Sequence, residues 1–246
     1  MDHFYENTYR IGAQNVDRYN HCRPAAVLSY LQEAATYAAI DLNISRDVML
    51  REYNVFWMLA RIWFRLERPL GWEEALTVRT WHRGGKGVAM YRDFDLFVGD
   101  EPVGEAVSTW VLADYDTRKM FRLSTVKEFA STSGGSLCKT RLLGRVSMPQ
   151  EMEMSYSRRM GYSDTDINGH VNNCRYADFV CDALPMDTFN GRQFLSEMQL
   201  GYLAECLPGD LLHLQAGQGE GQHFVQGIDD GAVSRFQASL RFSPLG

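Results

Sequence analysis

Two stretches of helical period, 24–40 and 173–184, each stand ahead of a series of segments in which apolar and polar residues alternate. A chain laid out this way must bury each helix against the strands that follow it, because a sheet with one apolar face needs a cover. In PAAVLSYLQEAATYAAI, Pro24 takes the first helical position and Val27, Leu31, Ala34 and Ala38 share one face. The small side chains on that face allow close approach, so the spacing predicts a sheet curled around the helix more than a flat layer. In NCRYADFVCDAL, the shared face is Cys174, Ala177, Val180, Cys181 and Leu184, and Pro185 ends the element.

After the first helix, Ala60, Ile62, Phe64 and Leu66 alternate with Arg61, Trp63, Arg65 and Glu67, and Phe94, Leu96 and Val98 alternate with Asp93, Asp95 and Phe97. Turn signals at Pro69-Leu70-Gly71, Gly84-Gly85-Lys86-Gly87 and Gly99-Asp100-Glu101-Pro102 separate these runs, and Ala106 to Leu112 forms a further apolar run. After the second helix come Met198, Leu200 and Tyr202, the turn Pro208-Gly209-Asp210, Leu212 and Leu214, and Phe224 to Ile228. Asp229-Asp230-Gly231 then leads into Phe236, Ala238, Leu240 and Phe242. Consecutive hairpins predict antiparallel sheets. Between about 124 and 156 the pattern dissolves around Ser131-Thr132-Ser133-Gly134-Gly135-Ser136, which reads as a connection. The halves also echo each other: Cys22-Arg23 with Cys174-Arg175, and Leu66–Gly71 with Ala204–Gly209. The expectation is an α+β chain with two tandem hot-dog units, residues 1–130 and 154–246, joined by a linker over 131–153.

The charge balance, 25 Lys plus Arg against 31 Asp plus Glu for a net −6, provides no overall basic tract for nucleic acid. No run approaches the roughly 18 consecutive apolar residues of a membrane helix. The five cysteines are Cys22, Cys138, Cys174, Cys181 and Cys206, an odd number with no Cys-x-x-Cys pair and no histidine at ligand spacing. A reducing compartment and no structural metal are therefore expected. The start, MDHFYENTYRIG, has the layout of neither a secretory signal nor a transit peptide, which predicts a cytoplasmic protein.

The densest polar cluster, Asp164-Thr165-Asp166-Ile167-Asn168-Gly169-His170-Val171-Asn172-Asn173, stands immediately before the second helix. A helix start offers unpaired N–H groups and a partial positive charge, which suit an oxyanion, and Asp166, Asn168 and His170 supply a base, an orienting amide and a donor. Asn172 and Asn173 read better as helix caps, and Asp164 as a turn former. Glu205, after the strand carrying Leu200 and Tyr202, is a candidate general base; the plainer alternative is a surface glutamate beside a turn. Cys206 reads as a small buried hydrophobe in preference to a nucleophile. Gly84–Gly87 lacks phosphate-loop spacing, and Phe56-Trp57-Met58 is core by default.

These residues carry a resemblance. Asp166-x-Asn168-x-His170-Val171-Asn172-Asn173, followed by Leu200-x-Tyr202-x-x-Glu205-Cys206, resembles the acyl-acyl-carrier-protein thioesterases at family-specific spacing. The first half is similar too, through Leu31-Gln32-Glu33-Ala34-Ala35, Thr80-Trp81, Tyr91-Arg92-Asp93-Phe94, Ser108-Thr109-Trp110-Val111-Leu112 and Asp116-x-Arg118. The resemblance implies two hot-dog units, with the acyl tail held mainly by the first and the catalytic groups, Asp166, Asn168, His170 and Glu205, mainly in the second. It implies hydrolysis of the acyl thioester by water, with Glu205 or Asp166 as base and no cofactor or metal. The implied partners are acylated acyl carrier protein, reached through its phosphopantetheine arm, and the fatty acyl chain, with no nucleic acid and no membrane. A bacterial-type cytoplasmic enzyme, monomer or homodimer, fits the absence of a plastid leader. An acidic carrier predicts a local basic patch, with Arg158, Arg159, Arg175 and Arg192 as its candidates. Two other readings are an acyl-coenzyme A thioesterase and a non-catalytic acyl-binding module; the second has no use for all four polar groups together.

Overall fold

The structure, a computed structural model, describes residues 4–123 and 142–245. In chain order it contains β1 (Tyr5–Arg10), α1 (Pro24–Asp41), α2 (Arg46–Tyr53), β2 (Val55–Leu66), β3 (Ala75–Lys86), β4 (Ala89–Val98), β5 (Glu101–Asp114) and β6 (Met120–Phe121). There follow β7 (Glu153–Arg159), α3 (Arg175–Asp182), β8 (Gln193–Tyr202), β9 (Leu211–Gly219), β10 (Gln222–Ile228) and β11 (Ser234–Pro244). The chain divides into two compact units: one draws on 1–11, 29–62 and 73–143, the other on 12–28, 63–72 and 144–246.

In the first unit the strand order is β1-β3-β4-β5-β2, with β6 beside β5, and the β1–β3, β3–β4, β4–β5 and β5–β6 pairings are antiparallel. The turns are tighter than the glycine clusters suggested. Lys86 pairs with Ala89 and Val98 with Glu101, which leaves two-residue turns at 87–88 and 99–100. Gly87 and Gly99 sit there at φ 67° and 60°, a left-handed region that favours glycine. Gly85 lies within β3 instead, where a Cβ would come within 2.3 Å of the Leu123 side chain.

The α1 face read from the sequence is buried as expected: Val27, Leu31, Ala34 and Ala38 are at most 3% exposed. Leu76, Val78, Phe94, Leu96 and Ala106 supply the apolar face of the sheet, and all are buried. Asp93, read from alternation as part of the polar face, is also buried, because the Arg83 guanidinium meets both its oxygens at 2.6 Å. The helix α2 was not anticipated. Only Met49 among its residues is fully buried, so it shows almost no apolar period; Asn54, left-handed at φ 53°, closes it and its N–H reaches the Leu50 carbonyl. Met49 joins Ile44, Val55, Met90, Leu112 and Leu123 in a cluster of its own.

The second unit orders its strands β8-β11-β10-β9-β7, all antiparallel. The Tyr176 ring on α3 lies 5.4 Å from that of Tyr202 on β8 and 5.1 Å from that of Phe236 on β11. Tyr156 and Ser155 on β7 donate to the carbonyls of Phe179 and Ala183. This helix is shorter than the periodicity predicted, since residues 173–174 form a turn before it and residues 183–184 a turn after it. The strand β7 starts at Glu153, the last residue of the expected linker; its largely exposed residues and the register break after Met154 hide the alternation that would have revealed it. The Ser131–Ser136 segment lies outside the described residues.

Removing the Leu31 side chain should therefore cost about 3 kcal/mol, since the site is fully buried and packed. Glu33→Ala on the exposed face of α1 should stay within about 0.5 kcal/mol of the native chain. Urea unfolding of the two variants checks the contrast.

Candidate active site

The polar cluster folds into a tight loop ahead of α3. Gly161 opens a single 3-10 turn over Tyr162–Asp164, in which the Asp164 N–H donates to the Gly161 carbonyl at 3.2 Å. Asp166 closes the next turn twice: its N–H donates to the His170 carbonyl at 3.0 Å, and its Oδ1 accepts the Asn168 N–H at 2.8 Å. Gly169, at φ 76°, carries the chain through a conformation that a Cβ would strain.

The anchor beneath this loop is Asp164, 1% exposed. Its Oδ2 accepts the Gly161 N–H at 2.8 Å, and its Oδ1 accepts Arg158 Nη2 at 2.8 Å with Arg175 Nε at 3.6 Å. Burial pushes its carboxyl up, but the Gly161 N–H and the two guanidinium groups outweigh that and hold it below the usual carboxylate value. Asp164 is thus more than the turn former expected of it. Two arginines expected in a carrier-facing patch, Arg158 and Arg175, are engaged with this buried carboxylate, and Arg159 donates to the Gly209 carbonyl.

From the loop, the Val171 N–H donates to the Cys206 carbonyl at 2.9 Å, tying it to the segment after β8. That single bond places His170 beside Glu205: Nε2 and Oε2 stand 3.5 Å apart, with the side chains 18% and 32% exposed. The spacing is loose for a hydrogen bond. Glu205 is held from its other side by Arg235, an unanticipated contributor. The backbone of Arg235 receives the N–H groups of Leu203 and Ala204, its Nη1 donates to the Glu205 carbonyl at 3.0 Å, and Asp229 holds its guanidinium at 2.7–2.9 Å. The sequence marked Asp229 only as a turn residue.

Of the four expected site residues, His170 and Glu205 are brought face to face. Asp166 shapes the loop that carries His170, and Asn168 lies exposed at the tip of that loop. Cys206 is 0% exposed, and burial raises its thiol above the ordinary value. A buried thiol with a raised pKa is a poor nucleophile. Asn172 does not cap α3 directly; its Oδ1 accepts the Cys174 N–H at 2.8 Å in the preceding turn, while Tyr202 holds the Asn173 carbonyl at 2.9 Å. Among the described residues, no group of His, Cys, Asp and Glu is placed to hold a metal.

The same loop occurs a second time. Around the 3-10 turn Ala13–Asn15, the Asp17 N–H donates to the His21 carbonyl at 2.9 Å, and Asp17 Oδ1 accepts the Tyr19 N–H at 2.8 Å. Asn20 takes the left-handed position at φ 62°, and the Cys22 N–H donates to the Leu70 carbonyl at 2.7 Å. Bond for bond, Asp17, Tyr19 and His21 stand where Asp166, Asn168 and His170 do, and Leu70 stands where Cys206 does. This register differs from the one read from the sequence: Cys22 corresponds to Val171, not Cys174, and Pro69 corresponds to Glu205. The signal that would have found it is Gly-x-x-[Asn/Asp]-x-Asp-x-x-x-His, present at Gly12–His21 and at Gly161–His170.

Because the Asp164 carboxyl is held below its ordinary value of 3.8, its stabilising effect is complete above that pH and disappears as the pH falls through the lowered value. Asp164→Asn should cost about 2 kcal/mol near pH 7, less than a fully buried pair because both arginines are about a third exposed and screened. The gap should close below pH 3.8. Unfolding of both proteins followed from pH 7 to pH 2.5 measures it.

Comparison with known proteins brings this geometry into a family. The acyl-ACP thioesterase N-terminal domain matches residues 2–130 and the acyl-ACP thioesterase C-terminal domain matches residues 147–237. An oleoyl-acyl carrier protein thioesterase of Coriandrum sativum is 27% identical over 209 residues, covering 76% of this chain and 55% of that one. A dodecanoyl-[acyl-carrier-protein] hydrolase of Cinnamomum camphora is 25% identical over 237 residues, covering 86% and 60%. The chain therefore spans little more than half the length of the curated relatives it matches. The crystal structure of an acyl-ACP thioesterase from Bacteroides thetaiotaomicron superposes with a TM-score of 0.82 at 22% identity, covering 98% of both chains. The 12:0-ACP thioesterase from Umbellularia californica does so with 0.79 at 20%, again covering 98% of both. The likeness establishes the α+β tandem hot-dog fold expected from the sequence. With both domains matched along most of its length, the chain belongs to the acyl-ACP thioesterase family.

Proposed function

We propose that this protein hydrolyses acyl-acyl-carrier-protein thioesters to free fatty acid and the carrier's thiol in fatty-acid synthesis. The observation that carries this reading is the facing of His170 and Glu205 at 3.5 Å, each partly exposed, on a loop and a segment joined by the Val171–Cys206 hydrogen bond. Glu205 takes a proton from water as the water attacks the thioester carbonyl. When the tetrahedral intermediate collapses, the carbon–sulfur bond breaks and the proton passes from Glu205 to the departing sulfur, so the carboxylate is restored. His170 orients the water or polarises the carbonyl, and Asn168 at the loop tip offers an amide to the same carbonyl. Asp166 acts as a positioning residue, because its Oδ1 already accepts the Asn168 N–H. That engagement favours Glu205 over Asp166 as the base. Cys206 has no chemical step in this scheme.

The carrier's pantetheine arm delivers the thioester, and the N-terminal half of the chain, within residues 1–130, receives the acyl tail. The relatives named for oleoyl and dodecanoyl carrier-protein esters support the carrier as the natural thiol.

Release of thiol from acyl-carrier-protein esters tests the reading. Glu205→Gln should lower kcat by about a hundredfold to ten-thousandfold while the fold is retained. Cys206→Ala should remain within a few-fold of native, and Asp166→Asn should fall between the two. A native protein that binds the esters without cleaving them overturns the reading, and so does a dead Cys206→Ala variant that is folded.

A further inference from the structure

The repeated loop at 12–23 is a second setting of the same backbone with different chemistry. Where the candidate site has Glu205, this copy has Pro69, which offers no proton acceptor; where it has Asn168, the copy has Tyr19. His21 and Asp17 are kept. A cavity of about 310 Å³ opens beside it, lined wholly by residues of the second unit. Its floor is apolar, formed by Leu66, Leu70, Phe194 and Phe242, and its rim carries Arg18 and Arg23.

The charges at that rim are unequal. Asp17 Oδ1 already accepts the N–H groups of Tyr19 and His21 at 2.8 and 2.9 Å, and Asp178 is paired with Arg175. Asp182 remains as an exposed carboxylate on the lining. Burial raises the Asp178 carboxyl while Arg175 and Arg23 both act to lower it, so Arg23 shares in the charge of that carboxylate. The side-chain hydrogen bonds of Arg18 and Arg23 go to neutral carbonyls. Arg18 Nη2 donates to the Phe189 carbonyl at 3.3 Å with its guanidinium 4.8 Å from the centre of the Tyr19 ring, and Arg23 Nε donates to the Val16 carbonyl at 3.1 Å. A greasy floor beneath two guanidinium groups whose side-chain hydrogen bonds go to neutral carbonyls is complementary to a carboxylate on an alkyl chain.

We propose that this cavity is a second ligand site, disarmed for hydrolysis, that binds a fatty-acid anion, with the carboxylate between Arg18 and Arg23 and the chain along Leu66, Leu70, Phe194 and Phe242. The site stands on the cavity and its cations; that its ligand is also the product of the enzyme rests on the function proposed above.

Calorimetric titration of the full chain with octanoate and with 1-octanol, at low ionic strength and pH 8, tests it alongside thiol-release assays. Octanoate should bind the native chain and Glu205→Gln alike. Its affinity should fall by about tenfold or more in Arg18→Gln/Arg23→Gln, and 1-octanol should bind the native chain correspondingly more weakly. The arginine variant should hydrolyse thioesters at the native rate. Octanoate binding that is absent from the native chain, unchanged in the arginine variant or matched by the alcohol overturns the proposal. Arginine-dependent binding in a chain that cleaves no thioester defeats the proposed function alone, and arginine-independent binding in an active enzyme defeats this inference alone.

Discussion

The arrangement of the candidate site depends on one buried carboxylate. Asp164 draws together the Gly161 N–H, Arg158 from the end of β7 and Arg175 from the start of α3, so three separate pieces of chain converge on its two oxygens. A carboxylate removed from water needs such compensation, and compensation from three directions leaves the loop few alternative conformations. The turn at Asp166 and the bond from Val171 to the Cys206 carbonyl then follow from where Asp164 has placed the chain. His170 faces Glu205 at the end of that sequence of constraints.

The second constraint runs from the opposite side. Asp229 fixes the Arg235 guanidinium, and Arg235 holds the segment 203–205 through its carbonyl and its side chain. Glu205 is thus positioned by backbone on both flanks while its carboxylate stays partly open. The neighbouring Cys206 is treated in the reverse manner: its carbonyl accepts the loop's hydrogen bond and its thiol is buried. Backbone at Cys206 does the positioning, and the side chain at Glu205 is left partly exposed. The copy at 12–23 keeps the backbone part of this plan through Leu70 and lacks the side-chain part through Pro69.

Much of the architecture was legible because burial imposes period. Val27, Leu31, Ala34 and Ala38 marked α1, and the alternation through Ile62, Phe64 and Leu66 marked β2, since each set lies in a core. The elements that escaped notice are those with little buried. The helix α2 buries only Met49, and β7 sits at the edge of its sheet with most of its residues exposed. The site was legible in part for a different reason: three versatile polar side chains in a short loop exceed what a turn needs, whereas the roles of Arg158, Arg175 and Arg235 depend on partners distant in sequence or separated by a turn.

The sequence by itself determined that the chain makes helices followed by antiparallel strands twice over, and it offered Asp166, Asn168, His170 and Glu205 as groups able to do chemistry. Apolar period and residue type are local properties, so they can be read along the chain. Only the tertiary structure decided which charges neutralise one another, how deeply the Cys206 thiol is buried, and the register in which the two loops repeat. Those outcomes follow from long-range pairing: hydrogen bonds such as Cys22 to Leu70 and Val171 to Cys206 join residues that no local pattern connects. The second of those bonds places the His170 and Glu205 side chains face to face, and placement is a property of the folded backbone.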